Sequence, residues 1–363
     1  MRTPRNIITP IALTAALCLP LTLAQAQPTS GGRPTASADK VLSAATAAAS
    51  ANLATSKVTS PPAGKTAGQS RRAGGDPVDD RVELRSYQFT NTDETLPYAV
   101  FVSSKVSKDK KAPLVLALHG MGGNHGTFMR TACVENAEDN GYILVGAMGY
   151  SPNGPFGMEF GMGGRGGIPG GPGGMGRRGG APTNAPALLS GTNQPGRGGM
   201  MQGRGGMGMR GGSPIGGTKE TDSAKVAKLS EIDAITVLAM ARKEFNVDDS
   251  RIYLMGHSLG GGGALHMGEK YASLWAGVAA LAPAAFGFQW TADSKLKDVP
   301  LFITAGDADT LVRGSQQLFE QLKDLKFRCE FKSMPGLDHG GIIGGAMPDV
   351  FKFFNAHVKP TAK

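Results

Sequence analysis

Ile252-Tyr253-Leu254-Met255-Gly256-His257-Ser258-Leu259-Gly260 is the stretch that decides the reading of this chain. An apolar run ends in Gly-x-Ser-x-Gly, and a helix-compatible run follows from Ala264. Strand, serine, helix is the setting a nucleophile elbow requires, so the match carries more weight than its five letters. Such a turn is sharp and strained. A Cβ on either side of it would collide with the neighbouring strand or helix, which is why glycine flanks the serine. The hydroxyl is thereby lifted off the end of a sheet. A Gly/Ser turn that merely joins two elements is the competing account.

An elbow of this kind predicts its partners in the order Ser, Asp, His. Pro300-Leu301-Phe302-Ile303-Thr304 reads as a buried strand running into Gly306-Asp307-Ala308-Asp309-Thr310-Leu311-Val312. Asp309 is favoured as the acid, with glycine three residues before it and valine three after; Asp307, nearer the strand end, competes. Residues 327–333 alternate as a further strand, and Met334-Pro335-Gly336-Leu337-Asp338-His339 is the loop behind it. His339 is the candidate base. A serine hydroxyl is a weak nucleophile until an imidazole takes its proton, and the carboxylate fixes the imidazole's tautomer. His266, in the helix after the elbow, and His357, in the closing helix, are read as structural.

The oxyanion hole is read from Leu114-Val115-Leu116-Ala117-Leu118-His119-Gly120-Met121-Gly122-Gly123-Asn124. An apolar strand ending in His-Gly-x-Gly-Gly lets main-chain N–H groups approach a reacting carbonyl unobstructed. The expected donors are the N–H of Met121 and the N–H of Leu259. A phosphate cradle would need G-x-G-x-x-G or a Walker lysine, and this stretch has neither. His119 and His125 are expected to order this loop or line the pocket rim, and no ligand spacing for a metal is visible.

These segments resemble the α/β-hydrolase superfamily. More narrowly, they are similar to secreted esterases of the poly(3-hydroxybutyrate) depolymerase and feruloyl esterase type, and to dienelactone-hydrolase and prolyl-oligopeptidase-like catalytic domains. The strand with His-Gly-x-Gly-Gly-Asn resembles the first group. Val247-Asp248-Asp249-Ser250-Arg251-Ile252-Tyr253-Leu254 with its elbow resembles both. The resemblance covers residues 80 to the end apart from one insertion, and implies the triad Ser258, Asp309 and His339. Serine stands where true dienelactone hydrolases carry cysteine, which implies ester or amide hydrolysis through an acyl-enzyme. The implied fold is a mostly parallel sheet with helices on both faces and an N-terminal antiparallel hairpin.

Composition bounds the rest. Arg2 and Arg5 precede an apolar run over residues 7–23, and Ala24-Gln25-Ala26 is a small-x-small cleavage site, so residues 1–26 read as a secretory signal. Pro10 and Pro20 interrupt the run, which argues against a retained membrane span. Leu17 before Cys18 argues against a lipid anchor. Export leaves Cys133 and Cys329, expected on a helix and on a late strand near the sheet edge; whether they pair is open. Residues 27–80 are rich in Ala, Ser, Thr, Pro and Gly and read as a disordered linker, with a transient helix near residues 36–54. The catalytic domain is expected over 81–363. Its strands are placed at residues 81–90 and 96–104, separated by an Asn91–Glu94 turn, then at 142–147 and 277–282. Leu229, Ile232, Ile235 and Ala239 mark an amphipathic helix, and Phe353, Phe354 and Val358 the apolar face of a closing one.

Residues 153–217 do not fit that plan. The segment is rich in Gly, Met and Arg, with Glu159 its only acid against six arginines, and reads as a low-complexity insertion, disordered or a flap over the site. The formal charge of +9 includes Arg2 and Arg5; nine less two leaves +7. Anionic polymers are the expected company of such a charge in an exported hydrolase, rather than nucleic acid. No cofactor or stable membrane anchor is expected. Phe286, Phe288 and Trp290 follow the strand after the elbow and are candidates for the substrate pocket, with core packing an equal account. The function classes left are a secreted serine esterase, a prolyl-oligopeptidase-like peptidase whose usual propeller has no room here, and a non-catalytic binding protein on the same scaffold.

Overall fold

The computed structural model describes residues 40–47, 77–158, 218–285 and 287–360. The export signature, most of the linker, residues 159–217 of the insertion and Phe286 lie outside them. One eight-stranded sheet, ordered β1-β2-β4-β3-β5-β6-β7-β8, organises the rest. β1 (Glu83–Phe89) and β2 (Glu94–Val102) form the antiparallel hairpin, and β2 is also antiparallel to β4 (Ile143–Ala147). β3 (Ala112–Leu118), β5 (Val247–His257), β6 (Gly277–Leu281), β7 (Leu301–Gly306) and β8 (Cys329–Met334) run parallel with β4.

Period-two alternation distributes each central strand between two cores. Leu114, Leu116, Ile143, Val145, Leu254, Val278 and Ile303 point into one. Val115, Ala117, Leu144, Tyr253, Met255, Ala279 and Phe302 point into the other. The first is covered by α3 (Ser223–Glu244), α4 (Leu259–Lys270) and α5 (Val312–Asp324). The second is covered by α2 (Thr131–Asn140), the single turn α6 (Ile342–Gly345) and α7 (Met347–Ala356). Both sheet faces are dry, which is why the inner strands read as continuous apolar runs. All seven residues of β3 are buried.

Several local expectations differ from the structure. Residues 40–47, inside the expected linker, form a helix, α1, whose Ala45 is buried in the first core with Val41 and Leu42 against it. Alanine favours helix, and these three residues supply an apolar stripe. The packed chain also begins before residue 81, since Val78 bridges to Arg130. At the other end, α7 stops before Val358, which is 56% exposed rather than part of an apolar face. α3 begins where the Asp222 side chain accepts the Lys225 N–H at 2.9 Å, an N-cap. It is not simply amphipathic: every residue from Asp233 to Ala241 is buried, with Ser230 and Glu231.

The insertion has a tied neck. The buried carboxylate of Glu94, which begins β2 instead of sitting in the turn, accepts Tyr150 Oη–H at 2.6 Å before the insertion and the Lys219 N–H at 2.7 Å after it. The Glu220 N–H donates to the same tyrosine oxygen at 3.3 Å. Alongside, Asp233 of α3 accepts Tyr87 Oη–H at 2.5 Å on one oxygen, and the N–H groups of Gly149 (2.6 Å) and Tyr150 (3.2 Å) on the other.

Burial pushes the Asp233 carboxyl up to about 6, against those three hydrogen bonds. The folded state therefore keeps this proton between about pH 4 and pH 6 while the unfolded chain has lost it. Stability falls as pH rises through that window and levels off above it, by about 3 kcal/mol in all. Asp233→Asn can keep its oxygen on Gly149 and Tyr150 and donate to a rotated Tyr87 hydroxyl. In urea unfolding, the variant is expected to gain on the parent by about that amount between pH 4 and pH 7. An offset independent of pH would show that Asp233 is not the titrating group.

Candidate active site

Parallel register brings the four loops that matter to one end of the sheet. Leu118 of β3 pairs with Gly256 of β5, His257 with Leu281 of β6, and Gly306 of β7 with Met334 of β8. Ligands in open sheets of this kind bind beyond the carboxyl ends of the strands.

Ser258 stands between β5 and α4 with φ 56° and ψ −116°, a left-handed conformation costly for any residue with a Cβ. Its backbone is pinned from both sides: its N–H donates to Leu281 O at 2.9 Å, and its carbonyl accepts from Ala284 (2.8 Å) and Gly262 (3.1 Å). The flanking glycines are required by contact. A Cβ at Gly256 would lie 2.0 Å from Gly260 O, and one at Gly260 would lie 2.2 Å from Leu118 O and 2.4 Å from His119 O. Since the obstructing atoms are backbone at the end of β3, Gly260→Ala is expected to cost about 3 kcal/mol or more. A urea midpoint within error of the parent would refute that crowding.

The Asp309 carboxylate is buried, and its Oδ2 lies 2.7 Å from His339 Nδ1. Its other oxygen accepts the Leu311 N–H at 2.9 Å. Asp307 is used differently, accepting the Gly336 N–H at 2.7 Å and so shaping the histidine loop. Because Nδ1 donates to a carboxylate, Nε2 of His339 is left as the free lone pair. His339 is 44% exposed at its side chain, open to the site. The Ser258 hydroxyl makes no hydrogen bond among the described residues.

The loop after β3 closes against the elbow: a Cβ at Gly120 would meet Ser258 Cβ at 3.0 Å. The Gly122 N–H donates to Pro152 O at 2.7 Å and the Gly123 N–H to Gly120 O at 3.0 Å. The N–H groups of Met121 and Leu259 make no backbone hydrogen bond among the described residues. His119 is buried, its ring nitrogens each 2.7 Å from a carbonyl oxygen, of Gly120 and of Met148. Burial holds its pKa below the ordinary imidazole value even so. Burial likewise takes half-buried His125 down to about 4.

Three contributions escaped the sequence reading. Residues 153–158 fall inside the expected insertion, yet Phe156 is fully buried edge-on to the His119 ring (5.5 Å); Pro152, just before it, carries the carbonyl that holds Gly122. His257, read only as the variable letter of the elbow, donates from Nε2 to the His339 carbonyl at 2.7 Å. Asp307 shapes the loop rather than meeting the imidazole. Proline and phenylalanine before a glycine-rich tract were the available signal for the first; nothing local announces the others.

Of the pocket candidates, Phe286 lies outside the described residues. Phe288 packs partly against Met158, Leu259 and Ala284, and stacks on Trp290 with ring centroids 5.1 Å apart. Trp290 is buried in the first core, with Phe327 edge-on to it at 5.9 Å. His266 lies 3.3 Å from the buried carboxylate of Glu231, and His357, just past α7, bonds to Phe353 O. Cys133 and Cys329 are both free. Burial pushes the Cys133 thiol up to about 12.

No protein-family model matches the chain, and no curated protein sequence matches it. Solved structures do. A ferulic acid esterase from Anaeromyces mucronatus, solved in complex with ferulic acid, superposes with a TM-score of 0.50 at 15% identity, over 76% of this chain and 91% of that one. The fold is that of the α/β-hydrolases. An S-formylglutathione hydrolase from Agrobacterium tumefaciens gives a TM-score of 0.49 at 17% identity, over 76% of this chain and 95% of that one. A thermostable esterase gives 0.46 at 16% identity over 78% of this chain, which spans 64% of that protein's length. At such identities the likeness concerns the α/β-hydrolase fold, and chemistry must be argued from the site.

Proposed function

We propose that the chain is an exported serine hydrolase that cleaves carboxylic esters through an acyl-enzyme, with Ser258 as nucleophile, His339 as base and Asp309 as the orienting acid. The observation that supports this is the 2.7 Å contact between buried Asp309 and His339 Nδ1, on loops at the same end of the sheet as the strained elbow serine. In the attack, Ser258 Oγ bonds to the ester carbon and its proton passes to His339 Nε2. The carbonyl oxygen becomes an oxyanion facing the N–H groups of Met121 and Leu259. Collapse expels the alcohol, which takes the proton from His339. Water then repeats the sequence and releases the acid. The Ser258 hydroxyl is unbonded among the described residues, and its bond to His339 Nε2 is expected to form with substrate bound.

Acylated polysaccharide or polyester is the proposed substrate class, in keeping with the surplus of positive charge and the esterase names among the structural neighbours. Export rests on Arg2, Arg5 and the Ala24-Gln25-Ala26 site. The test is turnover of short and medium p-nitrophenyl esters, methyl ferulate and a proline-containing peptide amide, with labelling by a fluorophosphonate. Ester turnover and labelling, both absent in Ser258→Ala, are the expected result. Turnover of the amide alone would establish a peptidase, and no serine-dependent turnover would overturn the proposal. The exported protein is expected to begin at Gln27.

A further inference from the structure

We propose that His257 is a positioning residue for the base: its imidazole grips the main-chain carbonyl of His339 and so fixes where the His339 ring stands relative to Ser258. This rests on the serine hydrolase reading above.

A carbonyl oxygen can only accept, so the 2.7 Å contact between His257 Nε2 and His339 O requires the proton to be on Nε2. His257 is buried, and burial takes its pKa down to about 4, with the neighbouring His339 acting in the same direction. The ring is therefore neutral at neutral pH, with Nδ1 bare. Nδ1 faces the loop after β3, where a Cβ on Gly120 would lie 3.1 Å from it. The charged and titratable groups facing the ring are His339, 4.5 Å away between ring centroids, and the Asp309 carboxylate. His257 thus fills the space between the oxyanion loop and the base loop.

The base loop has other ties, but none reaches residue 339. Gly336 is held by Asp307, Leu337 O accepts the Ala308 N–H at 3.2 Å, and Asp338 Oδ1 accepts the N–H groups of Gly340 and Gly341. Among the described residues, His339 is held at two points: its ring by Asp309 and its carbonyl by His257. One tether leaves the ring free to swing about it, whereas two aim Nε2. The second tether comes from the residue bonded directly to the nucleophile, so the distance between nucleophile and base is set across one hydrogen bond.

The test compares the parent with Ser258→Ala, His257→Phe and His257→Gln. Phenylalanine keeps the ring's volume without the donor, while a glutamine amide carries an N–H to nearly the reach of Nε2. His257→Phe is expected to lower kcat for the ester about 10- to 100-fold, the effect of a misaimed catalytic group, with KM within about twofold. His257→Gln is expected to recover most of that loss, with melting curves showing both variants folded. In 15N-histidine spectra the His257 ring is expected to be the neutral Nε2–H tautomer at pH 7. A parental kcat in His257→Phe, a glutamine variant no better than phenylalanine, a kcat loss that merely follows loss of folded protein, or an Nδ1–H tautomer would each overturn the proposal. Absence of Ser258-dependent turnover in the parent would instead remove the hydrolase reading, and the tautomer would still decide whether the grip exists.

Discussion

Alanine at Ser258 is expected to lower kcat for ester hydrolysis about a million-fold, the scale seen when the nucleophile of such a triad is removed. The loss should come without loss of stability. The Ser258 hydroxyl makes no hydrogen bond among the described residues, and alanine keeps the Cβ, so the strain of φ 56° is the same in both proteins. The N–H groups of Met121 and Leu259 remain, and a residual acceleration of about a thousand-fold over water is expected from them and from binding. The measurement is single-turnover and steady-state kinetics beside a melting curve. A variant that still turns over at a tenth of the parental rate would mean that another group attacks the ester.

Asparagine at Asp309 is expected to lower kcat about 10,000-fold, whereas asparagine at Asp307 should change it less than about threefold. The difference follows from what each carboxylate meets. Oδ1 of Asp309 must go on accepting the Leu311 N–H, so an asparagine there would turn its NH2 toward His339 Nδ1. The imidazole would then carry its proton on Nε2, the wrong nitrogen for a base. Among the described residues Asp307 accepts only the Gly336 N–H, which an asparagine oxygen accepts equally well. Equal losses in the two variants, or the larger loss at Asp307, would reverse the assignment.

Much of the architecture was legible because its signals are local. β3, the later half of β5 and β7 announce themselves as short apolar runs that lead into Gly120, Gly256 and Gly306, and the elbow is recognisable since Gly256 and Gly260 have no room for a Cβ. What escaped depends on partners far along the chain. Nothing around Glu94 foretells that it joins Tyr150 to Lys219, and nothing around Asp233 foretells Tyr87, 146 residues away. For the same reason α3 read as one-sided, when its Ser230, Glu231 and Asp233 are buried with partners brought from β1, from the loop of Gly149 to Phe156 and from α4 and its C-terminal end. Asp307 and Asp309 are two residues apart in one turn. Only the position of the histidine loop gives them different work.

The tied neck has a consequence for what this protein can carry. Glu94 and Tyr150 fasten the chain on either side of residues 159–217. The chain is therefore fastened on both sides of that segment, and for a flexible loop held at such a neck each doubling of length costs only about 0.6 kcal/mol in closure entropy. The neck behaves as a socket. A foreign peptide or small domain grafted between the two ties is expected to be displayed on a scaffold that closes behind it.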